Sequence, residues 1–134
     1  MSAAVIADTH AIVWYLTSPS MLSATALAAL DGANQSSAPI VIASITLVEL
    51  QYLVEKGKIP QKALDRIGEL LDEPAASIRV APLDRVICDS VRHVSRSEVP
   101  DLPDRIIAAT ARALGMPLVS RDRKIRASAI QTIW

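Results

Sequence analysis

Four acidic residues stand where they are hard to explain as ordinary surface charges. Asp8 and Asp122 each follow a short apolar run, whereas Glu49 and Asp104 lie in stretches that otherwise predict apolar helix faces. An ionised carboxylate on an apolar face needs a partner, because burying an unpaired charge is very costly. If the four carboxylates meet, a divalent cation would relieve their repulsion, and hard oxygen ligands select Mg²⁺ or Mn²⁺ over zinc.

Simpler roles are open to each of these acids, and other catalytic motifs are missing. Asp8 can cap the helix that follows it, Asp104 can favour the positive end of a helix, and Asp122 can stabilise a turn. The two histidines, His10 and His93, are not spaced as a pair of metal ligands. We find no glycine-rich phosphate loop, nucleophile elbow or Cys–His pair in the sequence. The acids are therefore the candidates for chemistry.

Composition limits the class of protein. A chain of 134 residues, 51% of them hydrophobic, has enough apolar material for the core of one domain. No apolar run approaches the roughly 20 residues that span a bilayer. Cys88 is the one cysteine, which excludes an internal disulfide and a cysteine-based zinc site. Residues 1–8 lack the pattern of a secretory signal, so we expect no membrane association and a cytoplasmic location.

The charges are balanced in number but not in position. Lysine plus arginine and aspartate plus glutamate each count 14, so bulk charge does not favour nucleic acid. Before Lys56 every formally charged side chain is acidic, whereas from Arg105 onward Asp122 alone opposes six basic residues. This asymmetry predicts a basic rim beside an acidic pocket. Aromatic residues are only 3% with no phenylalanine, which argues against a base-stacking platform.

The elements that must position the acids alternate along the chain. Short apolar runs at 4–7, 40–43, 78–81, 117–120 and 130–134 predict strands. Helical patterns fill the intervals at 9–16, 23–33, 44–57, 60–71, 83–94 and 103–115. Apolar strands that alternate with helices predict an α/β fold: three α/β/α layers around a parallel sheet of about five strands.

Particular residues mark the predicted helix ends. Ser23 suits a helix N-cap, and Ser44 or Thr46 can cap the helix after the second strand. Gly57 suits a left-handed C-cap, and Pro103 suits the first helical position. Because ligands bind outside the carboxyl ends of parallel strands, this arrangement brings all four acids to the same end of the molecule.

The order of these residues resembles a known family. The matching segments are Asp8-Thr9-His10 after an apolar strand, residues 44–50 with Glu49, Pro103-Asp104-Arg105 with the six residues that follow, and Leu118-Val119-Ser120-Arg121-Asp122. Together they resemble the PIN-domain ribonucleases, in particular the VapC toxins of bacterial toxin–antitoxin pairs. The resemblance covers essentially the whole chain and implies a single PIN-like domain over residues 1–134.

The resemblance also implies a site. Asp8, Glu49, Asp104 and Asp122 fall on the family's acidic, metal-binding positions, and Thr9 and Ser120 match its small hydroxyl positions. Asp101 matches a further acidic position, although capping the next helix is its simpler role. Arg121 stands where many relatives have a smaller residue.

We therefore hypothesise metal-assisted hydrolysis of RNA, leaving a 5′-phosphate and a 3′-hydroxyl. Asp8, Asp104 and Asp122 would hold Mg²⁺ or Mn²⁺, while Glu49 would bind a second ion or assist proton transfer. The residues that we expect to hold flanking RNA phosphates are Arg105, Arg121, Arg123 and Lys124.

The sequence leads to expectations about partners and leaves two alternative functions open. The resemblance implies a homodimer and a VapB-type antitoxin that obstructs the acidic pocket, with residues 47–54 and 64–71 as candidate groove walls. One alternative is a receiver-type signalling domain in which Asp8 or Asp122 accepts a phosphoryl group. Such domains generally carry paired acids after the first strand, which Asp8-Thr9-His10 lacks. The other alternative is a binding module that keeps the fold without catalysis.

Overall fold

A computed structural model describes residues 4–134 of the chain, so the prediction for residues 1–8 lies partly outside it. The strands are β1 (Val5–Ala7), β2 (Ile40–Ala43), β3 (Ile78–Ala81), β4 (Leu118–Val119) and β5 (Thr132–Ile133). The α-helices are α1 (Thr9–Thr17), α2 (Ala24–Gln35), α3 (Ser44–Glu55), α4 (Gln61–Asp72), α5 (Arg85–Ser90), α6 (Leu102–Leu114) and α7 (Arg123–Arg126). Short 3₁₀ turns cover Pro19–Met21 and Val91–His93.

The five strands form one parallel sheet in the order β3-β2-β1-β4-β5. From β1 the chain builds outward through β2 and β3, and it then crosses to the other side of β1 to form β4 and β5. The strand order therefore reverses between β1 and β4. Open α/β sheets bind ligands in the crevice outside the carboxyl ends of the strands at such a point.

Helices cover both faces of the sheet, as β1 shows. Val5 and Ala7 belong to an apolar cluster that includes Ile12 of α1. Ile6 points to the opposite face and belongs to a cluster that includes Ile107 of α6. This alternation is what the two-residue period of a strand requires, and all three β1 residues are buried. The predicted three-layer α/β/α fold with five parallel strands is confirmed.

Two local predictions were wrong. Neither Ser44 nor Thr46 caps α3, because the Ser44 hydroxyl donates to the carbonyl of Ala81 instead. The helix predicted over 83–94 is shorter, because Asp84 caps it with a side-chain bond to the Ile87 N–H and its end tightens into a 3₁₀ turn.

Other helix ends agree with the sequence, to within one residue for α6. Ser23 accepts from the N–H of Ala26 as the N-cap of α2. Gly57 and Gly115 adopt positive φ angles of 71° and 65° where α3 and α6 end. Pro103 lies one residue further into α6 than predicted, because Asp101 is the N-cap.

Within residues 4–134, no helix combines the length and apolar character needed to cross a membrane.

Candidate functional site

The crevice between β1 and β4 holds a pocket of about 270 Å³. Its walls come from α1, α3, the first turn of α6 and the segment after β4. The lining residues are Asp8, Thr9, His10, Trp14, Glu49, Asp104, Arg121 and Asp122. The structure thus brings together all four acids that the sequence singled out, at the place where the strand order reverses.

Asp8 is the first residue after β1 and is buried, with 9% of its surface exposed. Its Oδ1 accepts from the backbone N–H of Ala11 at 2.8 Å, so Asp8 also caps α1. Burial raises the pKa of Asp8, although the Ser120 hydroxyl and the Ala11 N–H favour the ionised form. Capping and pocket lining are therefore two roles of one side chain.

Glu49 lies half-buried on α3 and is held by the hydroxyl of Thr9. The Thr9 hydroxyl donates to Glu49 Oε1 at 2.6 Å, and the Thr9 and Thr46 hydroxyl oxygens are 3.1 Å apart. Burial is the main cause that raises the pKa of Glu49, and the charges of Asp101 and Asp8 add to it. The hydrogen bond from Thr9 opposes this rise because it stabilises the carboxylate.

Asp104 occupies the first turn of α6, and its N–H donates to Asp101 Oδ2 at 3.1 Å. The pKa of Asp104 is raised to about 7. Burial is the main cause, and the nearby charges of Asp101, Asp122, Glu49 and Asp8 add to it. This carboxyl group is therefore both partly desolvated and close to other negative charges. Asp101 itself is exposed and does not line the pocket, so its observed contact is the predicted helix cap.

Asp122 follows β4 and caps the short helix α7. Its Oδ1 accepts from the N–H groups of Lys124 at 2.9 Å and Ile125 at 3.0 Å. The N–H of Asp122 donates to the hydroxyl of Ser120 at 3.1 Å. Ser120 is fully buried, so it lies behind the pocket wall and fixes the turn that carries Asp122.

The four predicted basic residues have different surroundings. Arg121 lines the pocket, with its guanidinium carbon 4.7 Å from the centre of the Trp14 ring. Arg123 and Lys124 are exposed at the start of α7, next to the pocket but outside its lining. Arg105 donates to the carbonyl oxygens of Val91 and Val94 at 3.0–3.2 Å. Because these bonds occupy its guanidinium, we leave Arg105 out of the phosphate-binding set proposed below.

Three residues that form or support the pocket were not predicted from the sequence. His10 and Trp14 line the pocket, and their ring centres are 5.6 Å apart. They are separated by four residues on α1, so the helical period could have placed them on one face together. Thr46 is completely buried and supports Thr9, three residues before Glu49 on the same helix.

The acids surround a shared space without forming a tight ligand cage. Within residues 4–134, no three His, Cys, Asp or Glu side chains are arranged to hold one ion directly. Asp8 and Asp122 each direct an oxygen to N–H groups, and Glu49 accepts from Thr9. The oxygen-only donor set still suits Mg²⁺, which keeps several waters and binds through one or two carboxylates together with substrate phosphates.

A second pocket of about 280 Å³ lies at the other end of the sheet. It is formed by the C-terminal end of α6, residues 93–98 and the segment before β5. Glu98 is its one acidic lining residue, so it lacks the concentration of carboxylates that marks the first pocket.

Comparisons with known proteins agree with this architecture. The family model described as PIN domain matches residues 5–130. The chain is 30% identical over 122 residues to Ribonuclease VapC22 of Mycobacterium tuberculosis (strain ATCC 25618 / H37Rv), covering 91% of this chain and 89% of that protein.

Solved structures show the same fold at lower identity. VapBC2 from Rickettsia felis, bound to a DNA fragment from its promoter, matches with a TM-score of 0.71 at 19% identity over 96% of each chain. A toxin–antitoxin complex from Klebsiella pneumoniae matches with a TM-score of 0.66 at 23% identity, covering 97% of this chain and 96% of the other. The resemblance seen in the sequence is confirmed: the chain belongs to the PIN domain family, and its relatives in that family include a VapC ribonuclease.

Proposed function

We propose that this protein is a divalent-cation-dependent endoribonuclease and the toxin of a toxin–antitoxin pair. The observation that carries the proposal is the meeting of Asp8, Glu49, Asp104 and Asp122 around one pocket at the β1–β4 crevice. The relative named Ribonuclease VapC22 supports RNA as the substrate class.

The chemistry of the pocket fits Mg²⁺ or Mn²⁺. Its acids supply only oxygen donors, which suit these cations. The pKa values of Asp8, Glu49 and Asp104 are raised mainly by burial and further by the neighbouring acids. We assign Asp8, Asp104 and Asp122 as the residues that hold the cation, directly or through its bound water, with Glu49 as a further ligand or a proton acceptor. A bound cation would lower the pKa of a water molecule and neutralise charge that develops on the phosphate.

The remaining residues of the pocket position the acids and the RNA backbone. Thr9 fixes the carboxylate of Glu49, and Ser120 fixes the turn that carries Asp122. Arg121 at the pocket, with Arg123 and Lys124 beside it, supplies positive charge for the phosphates that flank the cleaved bond. Hydrolysis then leaves a 5′-phosphate and a 3′-hydroxyl.

Cleavage of purified RNA tests this proposal. We expect cleavage with Mn²⁺ or Mg²⁺ and none with chelator. The Asp8→Asn variant should lose at least about 100-fold in rate, because the site supplies several kcal/mol of charge stabilisation. Unchanged circular dichroism would show that the variant keeps its fold. Cation-dependent cleavage retained in both Asp8→Asn and Asp104→Asn would overturn the assignment.

The same assay separates the alternatives. A non-catalytic binding module would bind RNA without cutting it under any cation. A receiver-type domain would take a phosphoryl group from a small phosphodonor and leave RNA intact. The observed strand order, 3-2-1-4-5, disfavours the receiver-type alternative, because receiver-type sheets have the order 2-1-3-4-5.

We further propose a homodimer and a VapB-type antitoxin as partners, acting in the cytoplasm. One structural relative is a toxin–antitoxin complex by name, and another is VapBC2. The predicted groove wall on α3 exposes two large apolar side chains, Val48 with 62% and Tyr52 with 59% of their surfaces accessible. An apolar helix face of this kind suits a helical partner laid along it.

A further inference from the structure

One wall of the acidic pocket is aromatic and cationic. Trp14 lines the pocket, and the guanidinium of Arg121 lies over its ring with 4.7 Å between the guanidinium carbon and the ring centre. His10 lines the same pocket, with its ring centre 5.6 Å from that of Trp14. The composition argued against a stacking platform, yet the fold brings one of the two tryptophans beside the acids.

The indole of Trp14 is held in place from behind. It packs against the apolar cluster of α1, α2 and β2, and its ring centre is 6.1 Å from that of Trp134. Trp14 therefore presents a fixed, half-buried aromatic face to the pocket, on which the Arg121 guanidinium rests. A fixed aromatic face binds a flat ligand at a low cost in conformational entropy.

Arg121 lies on that face although acids surround the same pocket. Its side chain is exposed, and it forms no ion pair within 4 Å with any carboxylate of the part of the chain that the structure describes. A guanidinium plane on an indole face combines a cation–π contact with a second flat surface. Single-stranded RNA is recognised by bases that stack on aromatic rings and on arginine planes.

We infer that Trp14 and Arg121 form a subsite for one nucleobase next to the phosphate held at the acids. The inference rests on the proposed ribonuclease function. Its ligand is an unpaired base of single-stranded RNA, since a paired base hides its faces in the helical stack. Stacking tolerates different bases, so the subsite contributes affinity and register along the strand more than sequence discrimination.

Binding of a single-stranded RNA decamer tests the subsite in the cleavage-blocked Asp8→Asn background. Fluorescence anisotropy of the labelled decamer gives Kd for Trp14→Leu, Trp14→Phe and Arg121→Gln. We expect Trp14→Leu to weaken binding about tenfold and Trp14→Phe to restore most of the affinity, because phenylalanine keeps an aromatic face. Tyr52→Leu and Arg126→Gln, which change exposed residues outside the pocket lining, serve as matched controls.

A set of decamers with one abasic nucleotide at each position separates stacking from a merely structural effect. One abasic position should weaken binding to the protein that has Trp14 but have little further effect in Trp14→Leu, because the missing base and the missing indole disrupt the same stack of base, guanidinium and indole. Equal losses in both proteins at every position would overturn the inference, as would an unchanged Kd in Trp14→Leu.

Two further measurements keep the result interpretable. If Trp14→Leu unfolds, quenching of the Trp14 fluorescence by the decamer in Trp134→Phe takes its place. Absent quenching at decamer concentrations that saturate binding then overturns the inference. Cation-dependent cleavage by the unmodified protein is measured in parallel. Retained cleavage with no base-dependent coupling refutes the subsite alone. The absence of both cleavage and RNA binding refutes the proposed function.

Discussion

At the scale of single residues, the pocket concentrates negative charge at a cost to the cation-free protein. Burial and four neighbouring acids raise the pKa of Asp104 to about 7, far above its ordinary value of 3.8. The folded state therefore holds a proton on Asp104 at a pH where the unfolded chain has released it. This contribution to stability is complete below about pH 4 and is lost as the pH rises toward 7.

The Asp104→Asn variant tests this consequence, because it keeps the shape of the side chain and removes its charge. In chelator, we expect the variant to be more stable than the unmodified protein at pH 8, and the gap should shrink toward pH 5. Urea unfolding at both pH values measures it. Asp72→Asn, at an exposed site outside the pocket, is the control. A gap that does not change with pH would contradict the assigned environment of Asp104.

At the scale of elements, two glycines should respond oppositely to alanine. Gly115 ends α6 with a φ of 65°, which strains any residue that has a Cβ atom, so Gly115→Ala should lower the free energy of unfolding by about 1 kcal/mol. Gly68 lies inside α4, and a Cβ there meets no atom within 4 Å. Gly68→Ala should therefore stabilise by about 1 kcal/mol. Urea unfolding measures the change in the free energy of unfolding for both variants. Changes of the same sign in both would contradict this account of the two glycines.

The sequence predicted the elements best where a local pattern decides them. The strands β1 and β2 are short apolar runs buried on both faces, and Gly115 marks a helix end by its own backbone preference. The end of α5 could not be predicted, because it depends on contacts across the fold: Arg105 of α6 binds the carbonyls of Val91 and Val94.

The same distinction applies to the candidate site. The positions of Asp8 and Asp122 after strands predicted their meeting, since the carboxyl ends of parallel strands share one edge. The role of Trp14 was not predicted, because its orientation depends on the packing of α1 and on Trp134, which is distant in the chain. Arg105 illustrates the opposite case: its charge suggested a contact with RNA, whereas in the fold its guanidinium donates to backbone carbonyls.

At the scale of the whole molecule, the proposed antitoxin groove should depend on the exposed face of α3. Val48→Asp places a charge at its centre and should weaken binding of a VapB-type partner at least about tenfold, since apolar anchors dominate such interfaces. Val86→Asp, at a similarly exposed site on α5, is the matched control. Calorimetry gives both affinities, and equal effects of the two substitutions would contradict the placement of the groove.

The central claim is that the acids at the β1–β4 crevice share a divalent cation. Anomalous diffraction from crystals grown with Mn²⁺ tests it most directly, because the signal locates the ion without assumptions about activity. We expect a peak in the pocket within coordination distance of carboxylate oxygens of at least two of Asp8, Asp104 and Asp122, and its loss in the Asp8→Asn, Asp104→Asn double variant. Mn²⁺ bound only elsewhere, with the pocket free of it, would contradict the account.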